Sequence, residues 1–126
     1  LYNNVYSKNS YFEEGEKLFL KKSFEKSKKK FEKDIVFNPK NEKSYLYLAK
    51  IYNFKENEEF EEQNLNTVIL LDPKNEEALY LLTLLKIKQS DYQKSKDLIK
   101  TFNKVCKSFC NKESELQKKL KNLQPN

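Results

Sequence analysis

The segment Phe37-Asn38-Pro39-Lys40-Asn41-Glu42 returns as Leu71-Asp72-Pro73-Lys74-Asn75-Glu76, and its two prolines stand 34 positions apart (73 − 39). A stretch apolar at helical spacing follows each copy, rich in aromatic residues after the first and in leucines after the second. Proline cannot continue a helix, and it biases the residue before it away from helical geometry, so each copy marks the end of a unit. A period this long holds two short helices and a turn. One such hairpin cannot bury its own apolar face, so the chain is constrained to an array of hairpins stacked on their neighbours. Composition agrees, with 1 Gly and 3 Pro among 126 residues, 35% charged and 37% hydrophobic. That is poor in turn formers and rich in helix formers.

The period and the cap residues set the expected units. Ser10 with Glu13 three residues on has the capping-box pattern, which predicts a helix from there to about Lys22. Residues 1–9 would then be an N-terminal strap or the end of a preceding helix. Ser23 restarts the pattern, with Phe24, Ser27, Phe31 and Ile35 on one face. The next units open at Asn41 and Asn75, with turns at Asn57 and at Ser90-Asp91. The repeats expected are about 10–40, 41–74 and 75–107. Residues 108–126 carry Leu116, Leu120 and Leu123 and read as a capping helix and tail.

In the first unit Tyr11, Gly15, Leu18, Phe24, Ser27, Phe31 and Pro39 follow a recognisable order of large, small and aromatic positions. Tyr45, Leu48, Ala49, Tyr52 and Pro73 follow it in the second, and Leu79, Thr83, Tyr92, Ser95 and Ile99 in the third. Over about residues 8–107 the chain resembles the tetratricopeptide repeat (TPR) family. It departs at Glu61, where a small residue is usual, and at Lys107, where proline is usual. The resemblance implies an all-α fold, a right-handed α-solenoid of three helical hairpins plus a C-terminal capping helix. It also implies a non-enzymatic protein–protein interaction scaffold that binds a partner segment in a concave groove lined by the first helices.

In this register the groove would be mostly apolar, and the expected partner-binding residues are Phe12, Phe19, Tyr47, Asn53, Phe54, Tyr80, Leu84 and Ile87. They fall at places that packing between hairpins should not require. Exposed aromatic anchors mark interfaces and dominate their energetics. The expected partner is another protein: a peptide, helix or domain with apolar anchors. One subset of the family clamps chaperone C-terminal carboxylates with Lys and Asn. The matching places here are Phe12, Glu16, Tyr47, Glu77 and Leu81, which supply neither cation nor amide, so that partner is not expected. Two alternatives stay open. The terminal segments could fill the groove, leaving a structural or assembly domain of a larger membrane-associated protein. Or the lysine-rich helix could recruit the chain to an acidic surface, such as a membrane.

Net charge is +6, and all 25 basic residues are Lys. Without Arg the chain lacks the side chain that reads guanine, so specific nucleic-acid binding is not expected. Lys21, Lys22, Lys26, Lys28, Lys29, Lys30 and Lys33 form a dense run, with Glu25 and Lys29 at i,i+4 spacing. Cys106 and Cys110 read as i,i+4 residues of a helix, small hydrophobes continuing a Phe102–Phe109 stripe and reduced or weakly paired. With no His, no Gly-rich phosphate loop and no nucleophile beside a base, no catalytic, cofactor or metal site is expected. No apolar run approaches the ~20 residues that span a bilayer. The absence of Met suggests a domain or fragment of a larger protein, whose parent is anchored, exported or neither.

Overall fold

A computed structural model describes residues 2–123, with side chains from Ser10 onward. Among these residues there are seven α-helices and no strand. The helices are α1 (Tyr2–Leu20), α2 (Phe24–Phe37), α3 (Glu42–Phe54), α4 (Glu58–Leu71), α5 (Glu76–Lys88), α6 (Tyr92–Val105) and α7 (Glu113–Lys121), with a 3-10 turn over Cys110–Lys112 before the last. The breaks expected at Ser23, Pro39, Asn57, Pro73 and Ser90 are all present. The chain divides into two compact units, residues 1–67 and 68–126, and the division falls within α4.

Lys22, Glu56 and Ser90 have φ of 61°, 55° and 60°, and each stands 34 positions after the last (56 − 22 and 90 − 56). Each ends the first helix of a hairpin in the same way. The next residue's N–H reaches back five residues: Ser23 to Leu18 O, Asn57 to Tyr52 O and Asp91 to Lys86 O, all at 2.9 Å. The left-handed residue's own N–H donates three residues back, to Phe19, Asn53 and Ile87 O. This is the Schellman closure, which glycine usually supplies. Here Lys, Glu and Ser hold the strained position instead.

In the first unit α1 packs on α2 and α2 on α3. Phe31, Leu48 and Ile51 form its core, and Phe12, Phe19, Phe24, Ile35, Tyr47 and Tyr52 pack around it. Gly15 makes the α1–α2 approach possible. A Cβ there would lie 2.8–3.0 Å from three atoms of the Phe31 ring, and the Gly15 carbonyl accepts from Ser27 Oγ at 2.8 Å. The small residues that the repeat pattern singles out are thus contact points between helices.

Asp34 is fully buried on α2. Its carboxylate accepts from Ser44 Oγ at 2.5 Å, Asn41 Nδ2 at 2.8 Å and Asn38 Nδ2 at 3.2 Å. One period later, Val68 and Ala78 replace Asp34 and Ser44 and are buried apolar residues. The asparagine between them changes its work accordingly. Asn75 caps α5 by accepting from Ala78 N–H at 2.9 Å, whereas Asn41 makes no side-chain cap and turns to Asp34.

In the second unit α5 pairs with α6, and α7 packs against both. Leu116 and Leu120 are buried, as a capping helix requires, while Leu123 lies half-buried past the helix end. Exposed termini of such arrays need this cover.

Three local expectations are corrected. The first helix does not open at Ser10. It runs through from Tyr2, and Ser10 Oγ donates to Glu14 Oε1 at 2.6 Å one turn on, so the cap-like pair is an intrahelical bond. Glu25 does not pair with Lys29 but with Lys28 at 3.9 Å and with Lys55, which caps the end of α3. Cys106 and Cys110 are not helical neighbours and are not reduced. The chain leaves α6 at Val105, Cys106 adopts ψ 147°, and the two sulfurs form a disulfide across the turn with Cα atoms 5.3 Å apart. Extended backbone at Cys106 lets the side chains converge, which parallel helical side chains could not do as well.

Candidate functional site

The aromatic residues of the first helices come together within the first unit. Phe12 meets Phe31 at 5.8 Å and Tyr47 at 6.0 Å. Tyr47 stacks on Phe31, with centroids 4.7 Å apart and planes 8° apart. Phe19 sits 5.0 Å from Tyr47, 5.4 Å from Phe24 and 6.3 Å from Phe54. Phe54 in turn lies flat on Phe24 at 4.5 Å. Such stacked and edge-on contacts add about 0.5–1.5 kcal/mol per pair beyond area burial, so these rings hold one another in place.

That arrangement changes how the expected site residues divide. Phe12, Phe19 and Tyr47 are half-buried and belong to the packing of the unit, contrary to the expectation that they are spare. Tyr47 also donates its hydroxyl to Glu16 Oε2 at 3.0 Å. Asn53 turns to α4, where its amide lies 3.2 Å from Glu61 Oε2. Glu61 is buried at the place where a small residue is usual, and Asn53 supplies a donor for it. Phe54 is different: it is 59% exposed while its ring is fixed by Phe24 and Phe19.

Tyr80, Leu84 and Ile87 lie on α5 in the second unit, all half-buried. The C-terminal segment covers Tyr80. Its hydroxyl donates to Glu115 Oε1 at 2.9 Å, Phe109 lies 6.3 Å from its ring, and the Lys112 ammonium sits 5.6 Å over it. Burial, followed by the hydrogen bond to Glu115 and its negative charge, pushes the phenol above its ordinary value.

One polar device has no counterpart among the sequence expectations. Glu76, the first residue of α5, accepts three backbone N–H groups from the disulfide-closed turn: Lys107 at 2.9 Å, Ser108 at 3.1 Å and Phe109 at 2.6 Å. The Lys107 N–H chiefly, with those of Phe109 and Ser108, holds the carboxyl below its ordinary range. No local pattern connects residues this far apart in sequence. Glu14 is lowered as well, by hydrogen bonds from Lys30 first and Ser10 second.

Helical hairpins in a 34-residue register, with small residues at their contacts and a covering last helix, define a TPR-type helical-repeat fold. Among solved structures, the TPR domain of OM64 from Arabidopsis matches with a TM-score of 0.83. The two are 17% identical, and the match covers 94% of this chain and 98% of that one. At that identity the likeness establishes the fold. No family model matches the chain, and no curated protein matches it.

Proposed function

We propose that the chain is a protein-interaction scaffold whose first unit receives an apolar anchor of a partner protein on the shelf made by Phe54, Phe24 and Phe19. The observation that carries this reading is Phe54. A large aromatic ring is more than half exposed, yet it is held flat on a neighbour at 4.5 Å. A ring already fixed loses little entropy when a partner covers it, which is the property of an interface anchor. Tyr47 backs the shelf through Phe19, and Phe12 packs on Tyr47 in turn. Tyr80, on α5 in the second unit, lies under Glu115 and Phe109. Binding here rests on apolar burial, so it depends only mildly on salt.

A displayed peptide library panned on the chain, with counter-selection on Phe54→Ala, tests the reading. Recovered peptides should carry a Leu, Phe or Trp anchor. They should bind at least thirtyfold less tightly to Phe54→Ala, about the 2 kcal/mol of an interface hot spot. Helical circular dichroism of the variant checks that the fold persists. Ligands that bind Phe54→Ala equally well, or that are uniformly acidic, refute it.

A further inference from the structure

The lysine run of α2 resolves into two groups. Lys28 and Lys30 are engaged: Lys28 with Glu25 and the Tyr52 ring, Lys30 with Glu14 at 2.7 Å and the Tyr11 ring. Lys22, Lys26, Lys29 and Lys33 are exposed, at spacings of four, three and four. The spacing of Lys26, Lys29 and Lys33 places them on one face of α2, over about 10 Å, with Val36 one turn beyond, and Lys22 stands in the turn that precedes the helix. Val36 is 75% exposed, and Leu20, two residues before Lys22, is 81% exposed. Aliphatic side chains in water therefore stand one turn beyond Lys33 on α2 and, at the end of α1, two residues before Lys22.

The acidic residues of this helix do not neutralise the row. Glu25 is taken by Lys28 and Lys55, and Asp34 is buried among its own donors. Glu32, three residues after Lys29, is exposed and, among the described residues, makes no ion pair with the row. Lys33 is 5.5 Å over the Tyr11 ring, a contact that leaves its charge unpaired by any anion. The other second helices lack the row. The places of Lys22, Lys26, Lys29 and Lys33 one period later are Glu56, Phe60, Gln63 and Thr67, and two periods later Ser90, Lys94, Asp97 and Thr101.

We infer that this face of α2 docks on an anionic phospholipid surface. A patch of like charges on long flexible stems matches a plane of headgroups, where each lysine reaches a different phosphate or carboxylate. Leu20 and Val36 then enter the boundary between headgroups and acyl chains, as the apolar residues of interfacial helices do. An acidic protein would need only the lysines and would leave the two aliphatic side chains unexplained. The surface is separate from the Phe54 shelf, so Phe54→Ala leaves this binding unchanged and the two readings fail independently.

Co-sedimentation of the chain with phosphatidylcholine vesicles, with and without phosphatidylserine, tests the inference. The chain should bind only vesicles containing phosphatidylserine, and binding should fall away at high salt. Each Lys→Gln change among Lys22, Lys26, Lys29 and Lys33 should lower the partition coefficient by about fivefold. The same number of changes on α6, at Lys94, Lys96, Lys100 and Lys104, controls for net charge and should lower it by less than about twofold per residue. Leu20→Ser with Val36→Ser should lower it several-fold with charge unchanged. All these positions are exposed, and circular dichroism confirms that the variants fold. The inference is overturned if vesicles with phosphatidylserine do not bind. Equal loss from the α2 and α6 sets overturns it too, as does binding to polyglutamate or single-stranded nucleic acid that matches vesicle binding and ignores the aliphatic substitutions.

Discussion

Exchanging the buried polar cluster of the first unit for the residues found one period later measures what that cluster contributes. Asp34 and Ser44 become Val and Ala, singly and together, as at Val68 and Ala78. Ser44→Ala alone removes the shortest of the three hydrogen bonds to a fully buried carboxylate. Hydrogen bonds to charged groups contribute about 1.5–3 kcal/mol, so a loss near 2 kcal/mol is expected. Asp34→Val alone leaves the Ser44 hydroxyl hydrogen without its acceptor in a site closed to water, at a cost of about 1–3 kcal/mol. The double variant removes both partners. Asn38 and Asn41 are each half-exposed, so water can satisfy them, and Asn41 becomes free to cap α3 as Asn75 caps α5. Replacing a buried charged cluster with packed apolar groups is commonly neutral or stabilising by about 1–4 kcal/mol. The double variant should therefore match or exceed the parent, with a coupling energy above about 1.5 kcal/mol. Urea unfolding of all four proteins closes the cycle. Additive losses within about 0.5 kcal/mol would show that Asp34 and Ser44 do not act as a unit.

Four further outcomes are expected. Glu56→Gly should stabilise the chain by about 0.5–1 kcal/mol in thermal or urea unfolding, because the left-handed residue costs about 1–2 kcal/mol and glycine's chain entropy offsets part of the relief; a loss of stability would contradict the turn geometry. Gly15→Ala should destabilise by about 1–3 kcal/mol, since the new methyl meets a fully buried Phe31 ring that has no room to retreat; calorimetry showing no change would mean the helices can part freely. Reducing Cys106–Cys110 should lower unfolding free energy by about 2 kcal/mol, the entropy of so short a closed loop. It should also speed amide exchange at Lys107, Ser108 and Phe109, and unchanged protection there would exclude the disulfide as the clamp of that turn. Glu76 has a depressed folded value, so its stabilising effect is full above the ordinary carboxyl value of 4.5 and is lost as pH falls through the lower folded value. The stability gap between the parent and Glu76→Gln should close on acidification, and a gap independent of pH would refute the assignment.

Helix boundaries are legible in the chain where the signal is local. Pro39, Pro73 and the turn residues Asn57 and Ser90 end or start helices through backbone sterics and capping, which act within a few residues. The same locality misled at Ser10, where the spacing to the following glutamates suits both a cap and an intrahelical hydrogen bond. It misled again at Cys106, where helical apolar spacing continues past a point at which the backbone turns extended.

Period, hairpin boundaries and the small residues at helix contacts were determined by the sequence alone, because each depends on side-chain size or backbone freedom at one position. Tertiary structure decided which aromatic residues remain available. Phe12, Phe19, Tyr47 and Phe54 look alike in the chain, and only the packing of three helices leaves Phe54 open while closing the other three around Phe31 and Phe24. It also decided which lysines are spent on partners, which turn Glu76 holds, and whether Asn41 caps a helix or serves a buried carboxylate. Exposure and pairing are properties of neighbours brought together from distant positions, and no local pattern carries them.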